Sequence, residues 1–187
     1  MDPTAQPPSF EEATRELSPI LLRYLHRLVG ERQTAEDLLQ ETLLRIARGL
    51  SGFNGQSTVK TWAFSIATHV AADYYRRPDR RARIVDMPDG LQLADGDPAV
   101  EDRMIGEEMN ACVRQVIDTL PADYRAAIVL HDLEGLTAEQ IGEVCGCSVA
   151  TAKIRVHRAR VRLRGALQEQ CDFYRDRDNA LRCDRKA

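Results

Sequence analysis

The stretch Leu136–Thr151, which reads LTAEQIGEVCGCSVAT, decides the fold of this chain. Thr137 and Gln140 are spaced as a capping box, in which the two side chains satisfy free amides at the start of a helix. Gly146 can adopt the left-handed conformation that ends this helix, and Ser148 can cap the next one. A short helix, a glycine turn and a second helix predict a helix-turn-helix.

The second helix of this motif is amphipathic and strongly basic. Its apolar residues recur at helical spacing, which predicts one shared face: Val149, Ala152, Val156, Ala159, Leu163 and Leu167. No acidic residue occurs between Glu143 and Glu169, whereas several cationic residues do: Lys153, Arg155, Arg158, Arg160, Arg162 and Arg164. Basic faces are common on ordinary helices, but one that directly follows a capped short helix favours DNA binding.

Composition places the chain among helical globular proteins. It has 187 residues, a net charge of −3 and 5% aromatic residues, and Ala, Leu, Arg and Glu are common. These values predict an all-α fold with one or two small domains. The polar, proline-rich N-terminus predicts no signal peptide, and we expect no membrane span. Five cysteines without a secretion signal fit a reducing cytoplasm.

Shifts in charge and hydropathy divide the chain into five segments. We predict a disordered tail over 1–9, a first helical domain over 10–83, a flexible acidic linker over 84–103, a second helical domain over 104–168 and a cysteine-containing tail over 169–187. The linker could serve as a solvated spacer or could cover a basic surface. In the first domain we expect one helix to stop before Ser18 and Pro19 and the next to begin there. Gly30 ends that helix, and Thr34 caps the following one.

The helix capped by Thr34 has two distinct faces. Its apolar face contains Leu39, Leu43, Ile46 and Leu50, and a different face contains Asp37, Gln40, Glu41, Leu44 and Arg48. An acidic stripe that includes an exposed leucine can be a docking surface, whereas a plain solvated face is the simpler interpretation.

The loop Gly49–Ser57 and the helix after it contain most of the remaining chemistry of the first domain. The loop has three glycines and Phe53, so it could bring backbone amides close to a ligand or could simply connect helices. Ser57 or Thr58 is expected to cap a helix over 59–77, with the apolar stripe Trp62, Ile66, Val70 and Tyr74. In the second domain, Pro121 is expected to open a helix that Gly135 ends.

Two blocks of sequence carry a specific resemblance. Ala35–Leu43, Phe53–Ser57 and Lys60–Ala67 resemble region 2 of extracytoplasmic-function sigma factors. Leu120–Arg125, Leu136–Ile141 and Ser148–Arg160 resemble region 4 of the same family. The blocks occur in the family's order and together cover roughly residues 10–168, which is far more specific than a helix-turn-helix alone.

The resemblance implies a bacterial initiation factor, located in the cytoplasm, that binds core RNA polymerase and promoter DNA. Residues at matching positions would bind the clamp of the largest polymerase subunit: Asp37, Gln40, Glu41 and Leu44. The resemblance also implies control by an anti-sigma factor, soluble or membrane-bound.

The resemblance further implies two DNA-binding sites. The loop residues Phe53, Asn54, Gly55, Gln56 and Ser57 would hold an extruded base of the minus-10 element, and the following helix would contribute Lys60, Thr61, His69, Arg76 and Arg77. The family often has Asn where His69 stands, a departure that bears on minus-10 preference. In the minus-35 element, the second helix of the helix-turn-helix would present Thr151, Lys153, Ile154, Arg155, His157 and Arg158. Arg158 could bind guanine bidentately, and Arg155 is better placed for phosphates.

No catalytic arrangement of nucleophile and base is evident, so we assign neither an enzymatic activity nor a cofactor or small-molecule substrate. The main alternative function is a stand-alone helix-turn-helix regulator, which would bind a palindrome as a dimer without polymerase. A purely protein-binding adaptor would leave two basic faces without a purpose.

The cysteines predict no metal site in the body of the protein. Cys145 and Cys147 flank the glycine of the turn, where small thiols that pack the turn are favoured over metal ligands. Cys171 and Cys183 lie in the tail. We expect this tail to be frayed or loosely docked, and the competing hypothesis is a tail that responds to redox state or metal.

Overall fold

The structure, a computed structural model, describes residues 10–76, 107–175 and 181–186, and its elements are almost entirely helical. The helices are α1 (Phe10–Val29), α2 (Arg32–Gly49), α3 (Val59–Arg76), α4 (Glu107–Thr119), α5 (Ala122–Ile128), α6 (Ala138–Cys145) and α7 (Val149–Gln170). A 3₁₀ turn, Leu50–Gly52, follows α2. The all-α prediction is confirmed. The predicted tail over 1–9, the predicted linker over 84–103 and Arg77 lie outside the described residues.

The helix α1 runs without interruption through Pro19, so the predicted break at Ser18 and Pro19 is wrong. A proline inside a helix lacks the amide donor and usually costs about 3 kcal/mol. The Ser18 hydroxyl donates to the Thr14 carbonyl at 2.6 Å. We attribute the continuity of the helix to burial, because Leu21 and Tyr24, just beyond the proline, are almost completely excluded from solvent.

The connection from α1 to α2 is tight. Gly30 ends α1 as predicted: its φ is 77°, and its amide donates to the His26 carbonyl at 2.9 Å. The prediction that Thr34 caps α2 is wrong, because α2 begins at Arg32. The Thr34 hydroxyl instead donates to Glu31 Oε2 at 2.6 Å, from within the first turn.

The buried faces of α2 and α3 differ from the predicted stripes. α2 buries Ala35, Leu38, Thr42 and Ile46, while the predicted Leu39 and Leu43 are only partly buried. α3 buries Thr61, Ala63, Phe64, Ala67, Val70 and Ala71, while the predicted Trp62, Ile66 and Tyr74 are partly buried. Alanines let the helix axes approach closely, so the larger neighbouring side chains lie at the edge of the contact.

In the second domain, Pro121 precedes α5 and Gly135, with φ of 72°, follows the helical segment as predicted. The segment is not uniform, because α5 widens into a π-helical turn over Val129–Leu133. Such turns are rare and are often found at functional sites. Leu133, the last residue of this turn, is 47% exposed.

The two domains share one hydrophobic core. Its buried residues include Leu25 and Phe64 of the first domain and Leu130 and Ile141 of the second. α3 packs on α6, and α1 contacts both α4 and α5. The described residues therefore form a closed arrangement, in which the second domain covers one side of α1 and α3.

The C-terminal tail contains structure that the sequence did not predict. α7 is followed by an antiparallel hairpin of β1 (Cys171–Arg175) and β2 (Leu181–Arg185). Cys171 is buried, and its backbone partner is Arg185, whereas Cys183 faces Phe173. Diagonal positions in such a pair lie about 7–8 Å apart, which is longer than the Cα separation that most disulfides span. This register therefore does not favour a Cys171–Cys183 bond.

The described part of the chain contains no helix with the length and apolar character required to cross a membrane.

Candidate nucleic-acid interface

The helix-turn-helix is built by local hydrogen bonds. The Thr137 hydroxyl accepts from the Gln140 amide, and the Gln140 side chain accepts from the Thr137 amide at 2.9 Å, which completes the predicted capping box. Gly146 has a φ of 63°, and the Ser148 hydroxyl accepts from the Thr151 amide at 3.1 Å. These contacts fix the direction of α7 relative to α6.

Gly142 is a structural requirement of this turn that the sequence reasoning missed. The Cys147 amide donates to the Gly142 carbonyl at 2.9 Å. A Cβ atom at Gly142 would lie 2.9 Å from the Cys147 carbonyl oxygen, which is too close for unperturbed packing. Because glycine has no side chain, the turn can fold back onto α6 at this position. The spacing between Gly142 and the turn is the sequence signal that could have identified this requirement.

The outer face of α7 combines charge with exposed apolar surface. Its buried side consists of Ala152, Val156 and Ala159. Lys153 is exposed, Ile154 is 37% exposed and His157 is partly exposed on the opposite side. Val149, predicted to lie on the buried face, is 38% exposed at the start of the helix. The predicted residues Thr151, Lys153, Ile154 and His157 are thus presented together by the first turns of the recognition helix.

The arginines at the flanks of α7 bind groups of their own domain. Arg155 Nη2 lies 2.6 Å from Asp123 Oδ2, and the Arg162 guanidinium lies over the Tyr124 ring at 4.7 Å. Arg160 Nη2 lies 2.5 Å from Asp132 Oδ1. These side chains can hold phosphates only if they exchange an internal acidic or aromatic partner for DNA.

Asp132 and Arg158 show how the protein environment acts on charged groups at the flanks of α7. Burial would raise the pKa of Asp132, but hydrogen bonds from Arg160 and His131 outweigh it, so the pKa lies below its ordinary value.

Arg158 is partly buried, and its Nε atom is buried without a hydrogen bond. Arg158 therefore lies at the edge of the outer face and is less outward-facing than its predicted role in guanine binding assumed.

The predicted minus-10 loop is braced from behind by an aromatic pair. Phe53 and Trp62 have ring centroids 5.2 Å apart, and a Cβ atom at Gly49 would meet Trp62 at 2.9 Å. Gly55 has a φ of 71°, and the Gln56 amide donates to Asn54 Oδ1 at 3.3 Å. The loop tip is exposed, so its backbone groups are available to a ligand.

The residues predicted to contact the minus-10 element from α3 are not on one face. Lys60 and His69 are nine positions apart, which places them about 180° apart around a helix. His69 is exposed, and its Nδ1 lies 2.7 Å from the Ser65 carbonyl oxygen. Because a carbonyl can only accept, Nδ1 carries the proton, and Nε2 of the neutral ring is free to accept. Arg76 lies 2.5 Å from Asp73 on the same exposed side.

Lys60 and Thr61 lie against the second domain. Thr61 is 3% exposed, and its hydroxyl accepts from Gln140 Nε2 at 3.4 Å. Lys60 Nζ donates to the Glu134 carbonyl oxygen at 3.3 Å. Lys60 nevertheless remains exposed, so Thr61 is the member of the predicted minus-10 group that the second domain covers in this arrangement.

The predicted polymerase-binding face of α2 is open. Asp37 and Gln40 are exposed, and Leu44 is 52% exposed. Glu41 is partly buried and accepts from Arg45 Nε at 2.8 Å, while Arg45 also lies 3.2 Å from Asp73. An exposed leucine between fixed and free carboxylates is typical of a protein-binding surface.

The contact between the two domains, called the seam from here on, contains Glu134, Arg27 and Arg125, which the sequence did not single out. The Glu134 side chain is only 3% exposed and lies 2.7 Å from Arg27 Nη1. Arg125 donates to the Leu28 carbonyl at 2.6 Å and to the Leu120 carbonyl at 3.1 Å. Glu134 and Arg27 are 107 positions apart, and no local pattern in the sequence joins them.

The cysteines of the turn have the character of packing residues. Burial raises the pKa of Cys145 to about 12, which keeps it a neutral thiol. Across the described ranges, no group of three or more His, Cys, Asp or Glu side chains is arranged to hold a metal ion.

Two family models match the chain. The one described as Sigma-70 region 2 matches residues 14–81, and the one described as Sigma-70, region 4 matches residues 110–163. The first match covers the loop and α3, and the second covers the helix-turn-helix.

Sequence relatives agree with these matches. The chain is 34% identical over 161 residues to the ECF RNA polymerase sigma factor SigE of Mycolicibacterium smegmatis, a match that covers 86% of this chain and 62% of that protein. It is 33% identical over 168 residues to the RNA polymerase sigma-H factor of Pseudomonas aeruginosa, which covers 82% of this chain and 87% of that protein. The chain thus spans less than two thirds of the length of the first relative and most of the second.

A solved structure supports the same fold. The sigma factor RpoE of Bartonella quintana, solved in complex with the anti-sigma factor NepR, superposes with a TM-score of 0.65 and 28% identity. The superposition covers 85% of this chain and 96% of that one.

Proposed function

The chain belongs to the family of ECF RNA polymerase sigma factors, and we propose on that premise that it binds core RNA polymerase and directs it to specific promoters. The observation that carries the proposal is the presence, in one chain, of an open acidic face on α2 and a capped helix-turn-helix with an outward basic helix. The polymerase performs the chemistry, and this chain selects the start site in the cytoplasm.

We assign core binding to the exposed face of α2. Asp37, Gln40 and Leu44 are accessible, and Glu41 is held in place by Arg45. Leu44 offers apolar area that gains free energy on burial, and the acidic groups around it select a basic partner surface. This division of roles is typical of a docking site in which a few apolar contacts contribute most of the affinity.

We assign minus-10 recognition to the loop 53–57 and to the exposed side of α3. Unstacking a base costs a few kcal/mol, so the site must offer donors and a rigid wall in return. Phe53, packed on Trp62, supplies a wall, and Gly55 opens the backbone of the loop. His69, Arg76 and the exposed Lys60 extend this surface along α3, while Thr61 joins it only if the second domain moves away.

We assign minus-35 recognition to the outer face of α7. Lys153, Ile154 and His157 would reach base edges in the major groove, with Thr151 at the helix start. Arg155 would contact phosphates after release from Asp123, and Arg158 would act at the edge of the face.

We also propose that an anti-sigma factor controls this protein. The similar sigma factor of Bartonella quintana was solved with its anti-sigma factor bound, and the likeness covers most of both chains. An inhibitor that covers the α2 face or the α7 face would block one of the two assigned contacts.

Run-off transcription tests the function directly. Purified protein added to core polymerase on a library of bacterial promoters should yield discrete start sites that core enzyme alone does not produce. Start-site patterns identical with and without the protein would sink the proposal. The alternative, a stand-alone regulator, predicts tight binding to a palindromic duplex without polymerase, which a gel-shift experiment on the same library would reveal.

A pull-down tests the assigned polymerase face. Asp37→Asn combined with Leu44→Ala should lower affinity for core polymerase by about tenfold or more, or ~1.4 kcal/mol. Glu16→Gln, an exposed carboxylate on α1, is the matched control and should bind as the wild type does. Equal binding by all three proteins would place the polymerase contact elsewhere.

A further inference from the structure

The seam between the domains holds one carboxylate among several cationic side chains. Glu134 projects from the segment just after the π-helical turn, and its residue is 9% exposed. Its Oε1 lies 2.7 Å from Arg27 Nη1, and its Oε2 lies 3.7 Å from Arg23 Nη2. Lys60 Nζ donates to the Glu134 main-chain carbonyl at 3.3 Å. One buried carboxylate from the second domain thus lies beside partly buried Arg27 and exposed Arg23 of the first.

Several cationic side chains surround the single carboxylate of Glu134 at the seam. Burial lowers the pKa of Arg27, Glu134 opposes that effect, and the positive charges of Arg23 and Arg114 lower the pKa further. Arg23 and Arg114 therefore both repel Arg27, which Glu134 attracts. A cluster of guanidinium groups around one oxyanion is the arrangement that also binds phosphate, because the guanidinium fork fits carboxylate and phosphate oxygens alike.

Glu134 also lies close to two residues of the predicted minus-10 group. Lys60 and Thr61 are two of the residues assigned to minus-10 recognition, and both contact the second domain at this seam. If the segment that carries Glu134 moved away, the second domain would lose its ion pairs with Arg23 and Arg27 of α1, and Lys60 of α3 would lose its main-chain carbonyl acceptor. The partly buried Arg27 and the buried Thr61 would then become accessible together.

We propose that Arg23, Arg27 and Lys60 form a phosphodiester-binding site on the first domain, and that Glu134 occupies this site as an internal substitute for a DNA phosphate until promoter DNA displaces it. The identity of the ligand as DNA rests on the proposed function. The Arg27 side chain is only 26% exposed, and a partly buried guanidinium without a counter-ion is costly, so the site exchanges one anion for another and is not left empty. DNA and domain closure therefore compete for the same arginines.

The first test measures DNA binding by the free, full-length protein without polymerase. The probe is a fluorescein-labelled single-stranded oligonucleotide followed by anisotropy at several salt concentrations. Glu134→Gln should raise affinity by about three- to tenfold and make the slope of log K against log salt steeper by about 0.7 for each phosphate gained. The control is Glu143→Gln, which removes the same charge from an exposed position on α6 and should reproduce the wild-type slope apart from a small electrostatic offset.

The second test asks whether the gain comes from the pocket. In the double variant Arg27→Gln with Glu134→Gln, the added affinity and the added slope should both disappear. A gain that persists in the double variant, or a Glu134→Gln protein that binds like the Glu143→Gln control, would overturn the proposal.

A charge exchange keeps the proposal testable if Glu134→Gln does not fold. Arg27→Glu with Glu134→Arg preserves the ion pair but removes the cation from the first domain. This variant should keep the wild-type circular dichroism and should bind the oligonucleotide more weakly than the wild type, whereas equal or stronger binding would contradict the site. A protein without start-site selectivity in run-off transcription would refute the proposed function alone, since these measurements need no polymerase.

Discussion

The ion pairs that hold arginines on the recognition helix differ in burial from those at the seam. On the recognition helix, Arg155 pairs with Asp123, a carboxylate that is 67% exposed. At the seam, Arg27 pairs with Glu134, whose side chain is 3% exposed. Exposed pairs contribute about 0–1 kcal/mol and weaken with salt, whereas loss of one partner from a buried pair is strongly destabilising. The recognition helix can therefore release its cations easily, and the seam cannot.

This difference suggests an order of events for a sigma factor. The face of α2 and the outer face of α7 are accessible while the domains remain closed, but part of the predicted minus-10 surface is not. On the proposed assignments, polymerase and minus-35 contacts can form first, and a minus-10 contact that uses the buried Thr61 requires the seam to open. The experiments below separate the seam from the exposed pairs.

Outside the Arg27–Glu134 pair, the largest effect on stability is expected at Arg125, which also joins the two domains at the seam. Its guanidinium donates to the carbonyls of Leu28, Leu120 and Asp118, at the ends of α1 and α4. Arg125→Gln should lower the free energy of unfolding by about 2–3 kcal/mol, because hydrogen bonds from a charged donor are lost in a partly buried site. Urea denaturation followed by circular dichroism measures this.

The control for Arg125 is Arg162→Gln, an arginine of the same domain whose guanidinium lies over the Tyr124 ring. A partly exposed cation–π contact contributes about 0.5–1 kcal/mol. Losses of equal size in the two variants would show that the seam is not held more strongly than the surface of the domain.

The next effect is confined to the helix-turn-helix. Gly142→Ala should destabilise the protein by about 1–2 kcal/mol, because the new methyl group would meet the Cys147 carbonyl at 2.9 Å. Gly165→Ala is the matched control: it lies within α7 with open space around it, and it should stabilise the helix by a few tenths of a kcal/mol up to about 1 kcal/mol. Thermal unfolding of both proteins measures the difference. A neutral Gly142→Ala would mean that the turn relaxes without cost.

The helix-turn-helix was predictable because its determinants are local. Thr137, Gly146 and Ser148 each act on amides or carbonyls within a few positions, so the residue types alone indicate the caps and the turn. The first domain was less predictable for the opposite reason. Pro19 stays within α1, where local propensity predicts a break, and we attribute this to the burial of residues on either side of it.

The seam could not be predicted from the sequence at all. Glu134 follows an apolar helical segment and resembles any surface carboxylate near a glycine stop. Its partner Arg27 is one of many arginines, and only the folded arrangement brings the two together. Burial of Thr61 has the same origin, because α3 presents it to a helix of the other domain.

A smaller effect, dependent on pH, is expected at Asp132. Its pKa is lowered in the folded protein, so the contribution of its pairs is present above the unfolded pKa, about 3.9, and is lost as pH falls through the folded value. At neutral pH, Asp132→Asn should lower stability by less than about 1 kcal/mol, since the carboxylate is 30% exposed. Denaturation at several pH values should show this gap shrinking towards low pH. A gap that stays constant would assign the stabilisation to packing and not to charge.

The smallest stability effect, and the sharpest comparison, comes from Asp123→Asn. Release of Arg155 from an exposed pair should change the free energy of unfolding by no more than about 0.5 kcal/mol. In the same oligonucleotide assay it should also raise DNA affinity less than Glu134→Gln does, because Arg155 can already exchange its exposed partner for a phosphate. Equal gains from the two variants would show that burial at the seam adds nothing to the competition with DNA. A larger gain in DNA affinity from Glu134→Gln, with unchanged folding in both variants, would show that the ion pairs of Glu134 are the main barrier to opening the domains.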